Sequence, residues 1–220
     1  MQLINYSGKK AAVLWSGGKD CCLALARCMD EGVDVVSLVT LVPENAKQFH
    51  AHPQDIILEQ AGAIGISHQF VTVYEPFKEG YEEAFRQLKE QGIELLVTGD
   101  ISEVHGNTNW VSDRAEGIID VWLPLWYGER ELLIQEEFDR GIKCYFSLVY
   151  KEQLPKDFIG RVYDQEALEE LKILEKEKGV DICGENGEFH TMVFNAPFYQ
   201  KKIEIPQVII EEEKYWRLER

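Results

Sequence analysis

Ala11-Ala12-Val13-Leu14-Trp15-Ser16-Gly17-Gly18-Lys19-Asp20-Cys21-Cys22 passes from an apolar run through two glycines and a lysine into a helix-forming stretch. Ala11–Trp15 reads as a buried strand, and Lys19–Glu31 as a helix with Gly32 at its end. A strand, a glycine pair, a lysine and a helix start together make a phosphate cradle. Glycine lets the backbone approach an anion closely, amides at a helix start point outward, and Lys19 adds a full positive charge. The blander reading is a tight strand-to-helix turn, for which two glycines suffice. The stretch is not a Walker A loop: Val13 and Asp20 stand where that motif needs Gly and Ser or Thr.

Working outward, strand and helix signals alternate. Asp34–Leu41, His68–Tyr74, Ile93–Thr98 and Val121–Leu125 read as strands; Pro53–Gly62, Tyr81–Gln91 and Trp110–Ile118 read as helices. Such alternation predicts an α/β, Rossmann-like parallel sheet with helices on both faces. Ligands of such sheets bind beyond the carboxyl ends of the strands, where the Ser16–Cys21 loop and Gly99-Asp100 both fall. After Pro124-Leu125-Trp126 the pattern changes. Helices at Glu131–Arg140 and Gln165–Lys178 mix with strands at Cys144–Tyr150, Ile203–Ile210 and Lys214–Leu218, and Glu211–Glu213 reads as a solvated turn. The expectation is two domains, 1–126 for the nucleotide and a smaller α+β domain, 127–220, for the acceptor.

Composition narrows the function. In 220 residues, 45% hydrophobic, there is enough apolar material for a substantial core. No run of 18 apolar residues suggests a membrane helix, and Met1 to Lys10 lacks the apolar region of a signal peptide. The five cysteines form no CxxC pair and no zinc spacing, which fits a reducing, cytoplasmic compartment. A net charge of −16, relieved only by Lys9-Lys10 and Lys201-Lys202, argues against a nucleic-acid partner. His50 and His52 alternate as a metal pair would, but no third ligand is evident; His105 and Trp110 either edge a site or cap a loop. Cys21 and Cys22 sit where thiol pKa values fall, yet small packing residues are the simpler reading.

A second polar string is Cys183-Gly184-Glu185-Asn186-Gly187-Glu188-Phe189-His190-Thr191. It reads as a loop over Gly184–Thr191, either a hairpin with exposed acids or a substrate loop. Its carboxylates could accept hydrogen bonds from an amine or ammonium, or hold Mg²⁺ through water.

Ser16-Gly17-Gly18-Lys19-Asp20 resembles the PP-loop of ATP pyrophosphatases, enzymes that cut ATP between its α and β phosphates. Their loop ends in Ser where this chain has Cys21, a weaker hydrogen-bond donor. The wider match is to the diphthine–ammonia ligase family. It is carried by Leu14 to Asp20, Phe49-His50 before Ala63-Ile64-Gly65-Ile66, Thr98-Gly99-Asp100-Ile101, Pro124-Leu125-Trp126, and Cys183 to Thr191. The family string there is close to Gly-Glu-Gly-Gly-Glu, so Asn186 replaces a glycine, and Asn tolerates a positive φ. The chain also departs from the family around His50-Ala51-His52-Pro53 and from Ser102 to Glu116.

The resemblance implies the fold of the adenine nucleotide alpha hydrolases and an ATP-dependent, amide-forming ligase. Ser16, Gly17, Gly18, Lys19, Asp20, Cys21, Thr40, His50, Gly99 and Asp100 are expected to bind ATP, with Asp20 and Asp100 holding Mg²⁺. Glu185, Asn186, Gly187, Glu188, His190 and Thr191 are expected to bind the acceptor. Lys19, Asp20, Glu185 and Glu188 are expected to carry the catalysis. The partners implied are ammonia and diphthine-bearing elongation factor 2, or another small acceptor, with no nucleic acid or membrane and with room for a homo-oligomer. A different acceptor on the same chemistry, and an ATP- or AMP-sensing module without turnover, are the alternatives.

Overall fold

The computed structural model describes residues 5–45, 53–103 and 108–220. Its first sheet has five parallel strands: β1 (Lys10–Leu14), β2 (Asp34–Pro43), β3 (His68–Val73), β4 (Leu95–Val97) and β5 (Asp120–Trp122). Their spatial order is β3-β2-β1-β4-β5. The chain therefore steps outward from β1 to β3 on one side, then returns to build β4 and β5 on the other. The reversal lies between β1 and β4, and this is where open parallel sheets hold their ligands.

Parallel strands need crossovers, supplied here by α1 (Lys19–Asp30), α2 (Gln54–Ile64), α3 (Phe77–Glu90) and α4 (Trp110–Ala115). α3 turns Ala84, Phe85 and Leu88 inward; they pack with Ala12, Val39, Val71, Ile93, Leu96, Val111 and Ala115. The helix begins four residues before Tyr81, the start expected from the sequence, because Phe77 and Lys78 look like loop until Pro76 is seen to precede the first turn.

A second, four-stranded sheet follows from β6 (Lys143–Tyr150), β7 (Phe189–Asn195), β8 (Val208–Glu211) and β9 (Tyr215–Glu219), antiparallel in the order β7-β6-β9-β8. Helices α5 (Arg130–Asp139) and α6 (Gln165–Lys178) belong with it. The Asp164 side chain caps α6 by accepting from the Ala167 amide at 3.0 Å, and Gly179 ends it in the left-handed region. Phe146 anchors this core, with Phe158, Tyr163 and Phe189 around it at centroid distances of 5.0–5.2 Å.

Two expectations are corrected here. The Gly184–Thr191 stretch is not loop throughout: from Phe189 it is strand, so His190 and Thr191 lie on β7. The aromatic and β-branched residues of Phe189-His190-Thr191-Met192-Val193-Phe194 favour that extended form. The strand expected over Ile203–Ile210 begins only at Val208; Pro206 has no amide for a ladder, and the Ile203 amide donates to Phe194 O instead.

The described residues form two compact units. One holds 5–16, 20–45, 66–103 and 108–126; the other holds 17–19, 53–65 and 127–220. The second therefore includes α2 and the three central residues of the glycine loop, as well as everything after Trp126.

Two glycines test this packing in opposite directions. A Cβ at Gly99 would lie 2.6 Å from the backbone of Asp20 and Cys21, whereas one at Gly62, inside α2, meets nothing within 4 Å. Gly99→Ala should cost about 1–3 kcal/mol, and Gly62→Ala should add about 0.5–1 kcal/mol. Urea midpoints of the two variants check both signs.

Candidate functional site

In the first unit, Ser16, Asp20 and Cys21 leave the carboxyl end of β1, and Gly99 and Asp100 leave that of β4. Gly99 lets the two segments touch, since any side chain there would strike the Asp20 carbonyl group and the Cys21 amide. Asp100 is half-buried and accepts a hydrogen bond from the Asn109 carboxamide, whose oxygen in turn takes the Ser112 amide at 2.9 Å and starts α4. Burial raises the Asp100 pKa above the ordinary carboxylate range; hydrogen bonds from Asn109 and Thr98 pull it back, and the negative charge of Asp20 raises it further. The charge of Asp20 beside the partly desolvated Asp100 carboxyl suits a hard divalent cation. Among the described residues no cluster of three His, Cys, Asp or Glu side chains is arranged to hold a metal, so such a cation would need phosphate or water oxygens as well.

Thr40 is buried, and its hydroxyl is engaged. Its Oγ1 donates to Trp15 O at 2.6 Å and lies 2.8 Å from His68 Nε2. The single hydroxyl hydrogen goes to the carbonyl, so Nε2 carries the proton that His68 donates. Burial lowers the His68 pKa, disfavouring the charged ring. Thr40 thus pins the Trp15–Ser16 peptide that follows β1. Ser16 Oγ donates to Cys21 Sγ at 3.5 Å, a bond across the loop in which the thiol accepts. All five cysteines are buried and none is in a disulfide, and burial pushes the Cys28 thiol up to about 12.

In the second unit, Gly17 has φ +82°, and a Cβ on it would lie 2.6 Å from both Gln60 Oε1 and Met192 Cε. Its carbonyl accepts from the Val193 amide and from Gln60 Nε2, each at 2.9 Å. The Lys19 amide donates to Thr191 Oγ1 at 3.2 Å, so this amide is directed at β7 and not toward an anion. The Lys19 side chain is only 1% exposed, and its Nζ lies 3.8 Å from Glu137 Oε1 on α5, itself 2% exposed. The glycine loop and the second polar string, expected in separate domains, meet here through Thr191.

The rest of that string is a turn organised by its own acid. Glu188 is buried; its carboxylate accepts from the Asp181 amide at 2.9 Å, the Asn186 amide at 3.1 Å and Asn186 Nδ2 at 3.4 Å. Gly184 and Gly187 take positive φ, but Asn186 does not; among the described residues Tyr127 alone does so without being glycine. The tolerance of Asn for that region is therefore not what lets it replace a glycine. Glu185 and Gly187 are half-buried, Asn186 is exposed, and His190 is half-buried on β7 opposite Leu148. Trp110, at the start of α4, is exposed and packs on Tyr81 at 4.6 Å. His50, His52 and His105 lie outside the described residues.

Gln60 and Glu137 were not singled out from the sequence, although a signal was present. Gln60 falls between Ile57 and Ala61 on the buried face of α2, and Glu137 falls three and four residues after the buried Ile134 and Leu133 on α5. A polar residue at core spacing needs a buried partner. Replacing Glu137 with Leu removes one member of a buried ion pair, which should cost about 3–5 kcal/mol. Chemical denaturation of E137L measures it, and a loss below 1 kcal/mol would mean the pair is not a structural one.

Residues 9–114 match a family model described as the diphthamide synthase N-terminal domain, and residues 129–220 match its C-terminal counterpart. The diphthine–ammonia ligase of Schizosaccharomyces pombe is 25% identical over 88% of this chain, but the match spans only 36% of that protein. The mouse and human proteins of that name are 27% and 26% identical, each over 88% of this chain and 82% of its own length. A solved structure of a predicted tRNA methyltransferase subunit from Methanocaldococcus jannaschii is 18% identical with a TM-score of 0.44, covering 89% of this chain and 100% of that one, a likeness too distant to bear on the chemistry. With both halves matched to its paired domain models, the chain belongs to the diphthamide synthase family.

Proposed function

We propose that this protein is an ATP-dependent, amide-forming ligase that adenylates a carboxylate and lets ammonia displace AMP, with diphthine on elongation factor 2 as the acceptor. The observation that carries the reading is the Ser16–Cys21 loop. It follows the carboxyl end of β1, beside the sheet's reversal point, in a chain whose relatives are named diphthine–ammonia ligases.

In this reading ATP lies on the glycine loop. Lys19 supplies positive charge for the phosphates, and Gly17 and Gly18 supply the backbone approach. Asp20 and Asp100 would hold Mg²⁺, which when bound offsets the charge of the leaving pyrophosphate. A carboxylate oxygen of the acceptor attacks the α-phosphorus and pyrophosphate leaves. The nitrogen of ammonia then attacks the acyl carbon, and AMP departs with the electron pair of the broken C–O bond. The protein's share is positioning and charge stabilisation. Glu185 would face the acceptor or ammonia, and Glu188 would act through the turn it holds. Support for Mg²⁺ comes from the raised pKa of Asp100, which a neighbouring cation would relieve.

Phosphorus NMR of a reaction with ATP, Mg²⁺, ammonium and diphthine-bearing elongation factor 2 should show AMP and pyrophosphate, formed only when the acceptor is present. ADP as the main product would overturn the PP-loop reading. AMP formed independently of elongation factor 2 would point to a different acceptor, and ATP binding without turnover would point to a sensing module. Lys19→Ala should weaken ATP binding by about 1.5–3 kcal/mol in a calorimetric titration.

Asp100→Asn should act in two directions. The folded-state pKa of Asp100 is raised, so its ionised form costs stability as pH rises above the ordinary carboxylate value of 3.8. At neutral pH the asparagine variant should therefore melt higher without ligand, and it should bind Mg·ATP more weakly. A variant that melts lower and binds as tightly as the parent would remove Asp100 from the cation site.

A further inference from the structure

We propose that Gln60 is a positioning residue of the glycine loop, a buried carboxamide that sets the orientation of the Gly17–Gly18 peptide and with it the loop's competence for phosphate. This rests on the reading of the loop as an ATP site. Gln60 has no exposed surface. Its Nε2 donates to Gly17 O at 2.9 Å and to Val193 O at 2.8 Å. Both acceptors are carbonyls, so the nitrogen end of the carboxamide must face them, and each of its two hydrogens has one partner.

Three features make this a positioning contact and not one more core hydrogen bond. First, the Val193 amide also donates to Gly17 O, so the Gly17 carbonyl is held by two donors from different elements. In a planar trans peptide the N–H points opposite to the C=O, so holding the carbonyl toward β7 and α2 turns the Gly18 amide the other way. Second, Gln60 Oε1 and Met192 Cε occupy the space where a Cβ of residue 17 would stand, 2.6 Å from that point. The glutamine fills the room that the glycine leaves, and the glycine lets the backbone reach the glutamine. Third, no smaller or apolar side chain can replace it. Asn is one methylene too short, Met and Leu cannot donate, and Glu would set a carboxylate against two carbonyl oxygens. Without the Gln60 donor the Gly17 carbonyl keeps only the Val193 amide, and the hold on its peptide is weakened.

The test uses the full chain with Gln60→Met, close in volume, and Gln60→Glu, close in shape. ATP affinity of each variant is measured by calorimetry in Mg²⁺ below its melting temperature. At least a tenfold rise in Kd for ATP is expected for both, with far-UV circular dichroism unchanged. A Kd within twofold of the parent, with only the melting temperature lowered, assigns Gln60 to core stability and overturns the proposal. Should neither variant fold, the side-chain amide resonances of Gln60 in the ¹⁵N-labelled parent decide it: a shift on adding ATP supports the role, and unmoved resonances overturn it. Failure of the parent to bind ATP would overturn the nucleotide reading and this inference together, whereas parental binding with unaffected variants would remove only Gln60.

Discussion

The absence of a side chain at Gly17 is the constraint on which the loop depends. Its φ of +82° is one that L-residues with a Cβ rarely adopt, and the space a Cβ would need is taken by Gln60 and Met192. With only hydrogen there, the backbone can lie against β7 and α2 and give its carbonyl to two donors. The next residues follow from that. The Lys19 amide turns onto Thr191, and the Lys19 side chain enters a buried space shared with Glu137 and, by its electrostatic effect, Tyr163. A buried ammonium needs such company, because removal from water is costly unless an opposite charge offsets it.

A second close approach governs the other end of the same string. Gly99 brings the segment after β4 against the backbone of Asp20 and Cys21, and burial together with the charge of Asp20 raises the pKa of Asp100. In the order β3-β2-β1-β4-β5, neighbouring strands β1 and β4 send their chains in opposite directions around the sheet. A crevice at such a point is a general consequence of the topology.

The acidic turn of the second unit has a different logic. Glu188 resembles a solvent-facing acid in a glycine-rich stretch, yet its oxygens are occupied by the amides of the turn it belongs to. The turn leads directly into β7, which carries Thr191 to Lys19 and Val193 to Gly17. The string that looked like a substrate loop thus also forms the lead-in to the strand that holds the glycine loop.

Much of this protein was legible in its sequence. The alternation of apolar runs and amphipathic segments in the first half specifies a parallel sheet, because each period is a local property of the chain. The glycine–lysine string marks its own place after β1 for the same reason, and the strings shared with its family lie in consecutive residues. What only the tertiary structure decided are the contacts between residues far apart in number. Gln60 and Glu137 read as ordinary helix residues until Gly17 and Lys19 are placed against them. Phe189 to Thr191 reads as the tail of a loop until β6 pairs with it. Glu188 reads as exposed until the turn closes over it. Local propensity determines which elements form; which polar groups become buried partners depends on the packing of those elements, and no short stretch of sequence records it.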